Sequence, residues 1–147
     1  KGNSFGINSR LDTIQAAILQ VKLKHVDEWI EKRIGHAQLY DKLLKEVVQL
    51  VSPSVIENSR HTYYTYSIRC EDRDELQSYL KAKGVTTAVH YSTILPLLSA
   101  YESLNHASVD FPVAYKHQRE TLSLPMYAEL TVVQIEYVVN CIRDFYK

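Results

Sequence analysis

LDTIQAAILQVKLKHVDEWIEKRIGHAQLYDKLL, residues 11–44, contains no proline and repeats its apolar residues at helical spacing. Leu11, Ile14, Ile18 and Val21 form one stripe. Val26, Ile30, Ala37, Tyr40 and Leu44 form a second, slightly displaced from the first. The offset near residues 22–25 predicts two helices or one kinked helix. A straight helix over residues 12–44 would run about 50 Å at 1.5 Å per residue. That is longer than a compact domain of this size needs, so the helix is expected to reach out to a further surface.

Upstream, FGINSR (residues 5–10) leads into this helix. Two readings stand. Asn8 or Ser9 caps the helix, or an anion is held there by the Asn8 amide, the Arg10 guanidinium and free backbone N–H groups, with Gly6 letting the backbone approach. Downstream, VVQLV and SPSVIENS form a turn-rich connection. HTYYTYSIRC (61–70) alternates and is rich in β-formers, predicting a strand. DRDELQSYLKAKG predicts a helix, with Asp72 and Glu75 in a capping pattern and Gly84 at its end. VTTAVHY (85–91) predicts a second strand, and ILPLLSAYESL a loop with a short helix. Asp110 before Pro112 marks another helix start, SLP a short strand, and Thr131 with Gln134 a capping box for a closing helix. That helix is expected to bury Ile135, Val138, Val139, Ile142 and Phe145. The order predicts an α/β fold: a small, mainly antiparallel sheet covered by helices, preceded by a long helix.

Composition narrows the function. The chain has 147 residues, 46% hydrophobic and 23% charged, as expected for one folded domain with a real core. Lys+Arg and Asp+Glu both number 17, which gives no pull toward nucleic acid or a membrane surface. No apolar run reaches the roughly 20 residues of a membrane helix, and no signal peptide is visible. Cys70 and Cys141 are expected to be two lone thiols in a cytoplasmic protein. The start at Lys1 fits a piece of a longer chain.

Few residues point to chemistry on spacing alone. No two of the six histidines stand on a convincing ligand face, so no metal site is expected. His90, at the end of a predicted strand, can leave the sheet edge and meet a ligand, or it is a partly buried histidine with a backbone partner. No serine lies in G-x-S-x-G, and there is no glycine-rich nucleotide loop.

GINSRLDTIQAAILQVKLKHVDEW resembles the G-x-N-S-R-[LM]-D-x-[IL]-Q-A-A-x-L segment of the DegT/StrS family, the pyridoxal-phosphate (PLP)-dependent aminotransferases of nucleotide-linked keto-sugars. The resemblance continues through HTYYTYSIRCEDRDELQSYLKAKGV, VHY and DFPVAYKHQRETLSLPMYAELT, covering nearly the whole chain in order. It implies the carboxy-terminal part of a fold-type I aminotransferase. Residues 1–45 would be the end of the large domain and the long interdomain helix, and residues 46–147 the small domain. The Schiff-base lysine would lie upstream, so no catalytic residue is expected in this chain.

The resemblance also implies a homodimer in which Asn8 reaches across the interface to the cofactor phosphate in the partner's site. Arg10 matches the motif arginine, a second candidate for cofactor binding. His90 and Tyr91 match the start of a loop near the sugar nucleotide, as substrate-binding candidates. That loop departs from the family pattern: Ser92 replaces a proline, Pro96 a histidine and Leu98 a glutamine, while Tyr101 is retained. Ala128 replaces a further proline. The implied substrates are a nucleotide sugar and an amino donor, glutamate. The alternatives are a non-catalytic binding domain of the same fold and a PLP-dependent sugar dehydratase.

Overall fold

The computed structural model describes residues 9–147. The predicted long helix is two helices, α1 (Thr13–Leu23) and α2 (Val26–Leu44), broken at Lys24 and His25. The break falls where the two apolar stripes go out of phase. On α2, Ala37, Tyr40 and Leu44 recur three and four residues apart, share one face and are buried. α1 buries none of its residues, and Ile14 is 72% exposed.

The remaining elements are β1 (Tyr66–Arg69), α3 (Arg73–Ala82), α4 (Pro112–Glu120), β2 (Thr121–Leu124) and α5 (Val132–Phe145). Three 3-10 turns lie between α3 and α4, at Leu95–Leu97, Ser99–Leu104 and Ser108–Asp110. β1 and β2 pair antiparallel, Tyr66 opposite Leu124 and Arg69 opposite Thr121. Single bridges extend the pair on both edges, Val51 to Arg69 and Ala88 to Ser123.

One face of this sheet builds the core. Tyr66, Ile68, Leu122 and Leu124 pack with α2, α3 and α5, through Tyr40, Leu76, Leu80, Ile135, Val139 and Ile142. The expected burial on α5 holds for Ile135, Val138, Val139 and Ile142, whereas Phe145 is only partly buried against the core. The opposite face carries Ser67, Arg69, Thr121 and Ser123, by the two-residue alternation of strands. This polar face is the one that positions the site.

Two helix ends follow their sequence signals. Gln134 N donates to Thr131 Oγ1 (3.3 Å), and Thr131 N donates to Gln134 Oε1 (2.9 Å), so the capping box is formed. Gly84, with φ of 77°, ends α3: its N–H reaches Lys81 O, and Val85 N–H reaches Leu80 O. That pair of bonds is the Schellman arrangement, which needs the left-handed conformation glycine adopts freely.

Three expectations need correction. The N-cap of α1 is Asp12, not Asn8 or Ser9. α4 starts at Pro112 as expected, with Phe111 as its N-cap, and the Asp110 carboxylate accepts from Ala107 N (2.8 Å) in the preceding turn. Residues 61–65 are not strand. Tyr63 takes φ of 46° and donates its N–H to His61 Nδ1 (3.0 Å), because its ring is buried beside Tyr66. The strand expected at 85–91 is reduced to the one bridge at Ala88, because β2 has only four residues and Pro125, which follows it, has no N–H to extend a ladder. Cys70 and Cys141 are free and buried, as expected for two lone thiols.

Candidate functional site

A cleft of about 790 Å³ opens beside the polar face of the sheet. His90, Tyr91, Ser92, Ile94, His117 and Gln118 line it, with Thr121 at the start of β2. It forms because the chain pairs with β2 at Ala88 and then turns away from the sheet, carrying His90 and Tyr91 over the end of α4.

His90 is anchored from below. Its Nδ1 lies 2.9 Å from Ser123 Oγ, and Ser123 Oγ lies 2.8 Å from Ser67 Oγ across the strand pair. Ser123 is only 4% exposed, although it faces away from the apolar core. The register Ser67 opposite Ser123 puts the two hydroxyls side by side, which satisfies a polar group that would be costly to bury alone. Tyr91 projects outward, its ring edge-on to His90 with centroids 5.6 Å apart.

His117 is held by charge. Arg69 Nη1 donates to His117 Nε2 (3.1 Å) and to Glu120 Oε2 (3.3 Å). A guanidinium only donates, so His117 Nε2 accepts and its proton sits on Nδ1. Gln118 fixes the loop, its Oε1 accepting from Ile94 N (2.7 Å). Arg73, 8% exposed, donates from Nη1 to the carbonyls of Gln118 and Thr121 (3.2 Å each). A cation at the carbonyl end of α4 also matches the helix dipole. Arg73 thereby ties α3 to the floor of the cleft.

Of the residues singled out in the sequence, His90 and Tyr91 come together in this cleft. Asn8 lies outside the described residues. Arg10 is exposed just before α1 and does not line the cleft. At the helix start only the capping reading is corrected. Asp12 is the capping residue, and its N–H donates to Gln15 Oε1 (3.2 Å). Ser67, Ser123, His117 and Arg73 escaped the sequence reading as site residues. Their only signal was a serine between two leucines in LSL and an arginine inside DRD.

The family model of the DegT/DnrJ/EryC1/StrS aminotransferase family matches residues 1–143. The chain is 44% identical over 144 residues to the "Pleiotropic regulatory protein" of Geobacillus stearothermophilus, covering 97% of this chain and 39% of that protein. It is 38% identical over 139 residues to the UDP-2-acetamido-2-deoxy-3-oxo-D-glucuronate aminotransferase of Pseudomonas aeruginosa, covering 95% of this chain and 38% of the enzyme. The crystal structure of S. venezuelae DesV in complex with a ketimine intermediate superposes with a TM-score of 0.90 at 31% identity, over 100% of this chain and 40% of that one. The chain thus spans about two fifths of the length of these relatives. It belongs to the DegT/DnrJ/EryC1/StrS aminotransferase family.

Proposed function

We propose that this chain is the carboxy-terminal part of a PLP-dependent aminotransferase that moves an amino group from glutamate to a nucleotide-linked keto-sugar. The observation that carries the reading is the family match over residues 1–143. The activity for which the Pseudomonas relative is named supports the substrate class. In this reading residues 1–45 end the large domain and form the interdomain helix, and residues 46–147 form the small domain. The protein is a cytoplasmic homodimer, and the lysine that binds the cofactor comes from a part of the protein outside this chain.

The cofactor, when bound, supplies the electron sink that lets an amine be exchanged for a ketone. The donor chemistry of Arg10 fits its phosphate. The guanidinium is exposed and, among the described residues, makes no ion pair, and a phosphate accepts from guanidinium N–H groups bidentately. Asn8 is the second phosphate ligand in this reading and serves the partner's site. His90 and Tyr91 face the sugar nucleotide: the imidazole offers a hydrogen-bonding edge, and the exposed tyrosine ring a flat apolar surface.

The test uses the full-length protein loaded with PLP. Glutamate alone releases one equivalent of 2-oxoglutarate per site, and a nucleotide keto-sugar added next gains the amine. No release of 2-oxoglutarate overturns the reading. A second reading, a non-catalytic binding domain of the same fold, has one observation in its favour: the Geobacillus relative is named for a regulatory role. In that case the full-length protein binds its ligand without turnover.

A further inference from the structure

Ser123 sits at a junction of hydrogen bonds, and one order of protons engages every contact in it. Ser67 Oγ lies 3.5 Å from Thr65 Oγ1, with the geometry of a long bond donated by Ser67. A hydroxyl carries one proton, and either hydroxyl could donate in the 2.8 Å contact between Ser67 and Ser123; the order that also keeps the Thr65 contact makes Ser67 the acceptor there. Ser123 then spends its own proton on Ser67. In that order it accepts in its 2.9 Å contact with His90 Nδ1. That places a proton on Nδ1 and leaves Nε2 of the neutral ring without one.

The surroundings keep this order in place. Ser123 is 4% exposed, and its backbone makes both its bonds to Ala88 on one edge of the strand, donating N–H to Ala88 O (2.8 Å) and accepting from Ala88 N–H at its carbonyl (3.1 Å). The hydroxyl therefore has a fixed origin and little access to competing water. His90 itself is exposed and lines the cleft. With Nδ1 taken by the sheet, the Nε2 side is the edge left for a ligand.

We propose that Ser123, backed by Ser67, is a positioning residue for His90: it holds the imidazole as the Nδ1–H tautomer, so that Nε2 meets the cleft as a hydrogen-bond acceptor for a substrate hydroxyl. The assignment to substrate rests on the proposed function; the tautomer does not. A free imidazole can offer either edge, whereas this one offers an acceptor only. The cleft then selects a ligand that donates at this point, which a sugar hydroxyl does and a phosphate oxygen without a proton does not.

The experiment labels the histidine rings of the full-length protein with nitrogen-15 and reads the nitrogen shifts and ring-proton couplings with no substrate present. The His90 signals are identified by their loss in His90→Gln. Wild-type protein at a pH where the ring is neutral should show Nδ1 protonated and Nε2 bare. Ser67→Ala should reverse this, because Ser123 then has no acceptor for its proton except His90 Nδ1. Ser123→Ala should give a mixture of both tautomers and a loss of about tenfold in kcat/KM for the keto-sugar, the value of one hydrogen bond, with cofactor affinity unchanged. An Nε2–H ring in the wild type overturns the proposal. So does a Ser67→Ala or Ser123→Ala spectrum identical to the wild type. Should Ser123→Ala fail to fold, Ser67→Ala decides alone. A protein that transfers no amine but shows the predicted tautomers refutes the aminotransferase reading and leaves the positioning intact; active enzyme with an Nε2–H ring does the reverse.

Discussion

Tyr66 donates its phenolic hydrogen to Asp41 Oδ1 across 2.6 Å, joining the sheet to α2 from inside the core. Its ring stacks on Tyr40, centroids 4.8 Å apart, and Tyr40 in turn donates to Pro125 O (3.1 Å), just after β2. Both rings are fully buried. The pair locks α2 against the strands that carry the cleft, so the apolar half of the chain and the site share one structural member. Tyr66→Phe keeps the stacking and removes the bond to a carboxylate. It should lower stability by about 1–2 kcal/mol in urea unfolding, since Asp41 is partly exposed and regains water. Tyr66→Ala should cost more, about 3–5 kcal/mol, because it also leaves a cavity.

The same two tyrosines set an alkaline limit. Burial raises the phenol pKa of both Tyr40 and Tyr66, and the Asp41 bond raises that of Tyr66 further. Unfolded tyrosine ionises near pH 10. Above that pH the unfolded chain binds fewer protons than the folded one, so stability falls as pH rises. Below it the tyrosines contribute no pH dependence. Each of the two should remove about 1.4 kcal/mol per pH unit above about pH 10. Cys70, whose thiol burial pushes up, acts in the same direction from somewhat lower pH. Denaturant midpoints measured from pH 8 to 11 check this, and Tyr66→Phe should flatten the slope.

Gly84→Ala tests the end of α3. An added Cβ meets nothing within 4 Å, so the whole cost is conformational. At φ of 77° it should be about 1 kcal/mol, seen as a lower midpoint with an unchanged dependence on denaturant.

Helices were legible in the sequence wherever a period and a cap agreed. The phase slip between the stripes of residues 11–44 located the break at Lys24 and His25, and Thr131 with Gln134 and Gly84 marked real helix ends. Strands were less legible, because tertiary packing decided them. Residues 61–65 have strand composition, but burying the Tyr63 ring turns the backbone there to positive φ. Residues 85–91 have it too, but their partner strand is too short. His90 could be singled out as a strand-end histidine, and its neighbour Tyr91 entered through the family motif. Ser123 could not, since its role depends on a register that brings residues 67 and 90 to it from separate parts of the chain.

Asn8→Ala in the full-length protein should weaken PLP binding by about one to two decades, the value of a hydrogen bond to a charged phosphate, about 1.5–3 kcal/mol. Stability without cofactor should hardly change, because Asp12 and not Asn8 caps α1. Mixed dimers locate the contact. One subunit carries Asn8→Ala, and the other lacks the cofactor-binding lysine. If Asn8 serves the partner's site, the one site with a lysine keeps its asparagine, and half of wild-type activity remains. If Asn8 serves its own subunit, the mixed dimer behaves like Asn8→Ala.

Transfer of the amine itself tests the account most directly. The full-length protein, loaded with PLP, is given nitrogen-15 glutamate and a set of nucleotide-linked keto-sugars, and the sugars are read by mass spectrometry. The account predicts that one keto-sugar becomes an amino-sugar carrying the label, with 2-oxoglutarate formed in equal amount. A protein that binds the cofactor yet labels no sugar and forms no 2-oxoglutarate would contradict it.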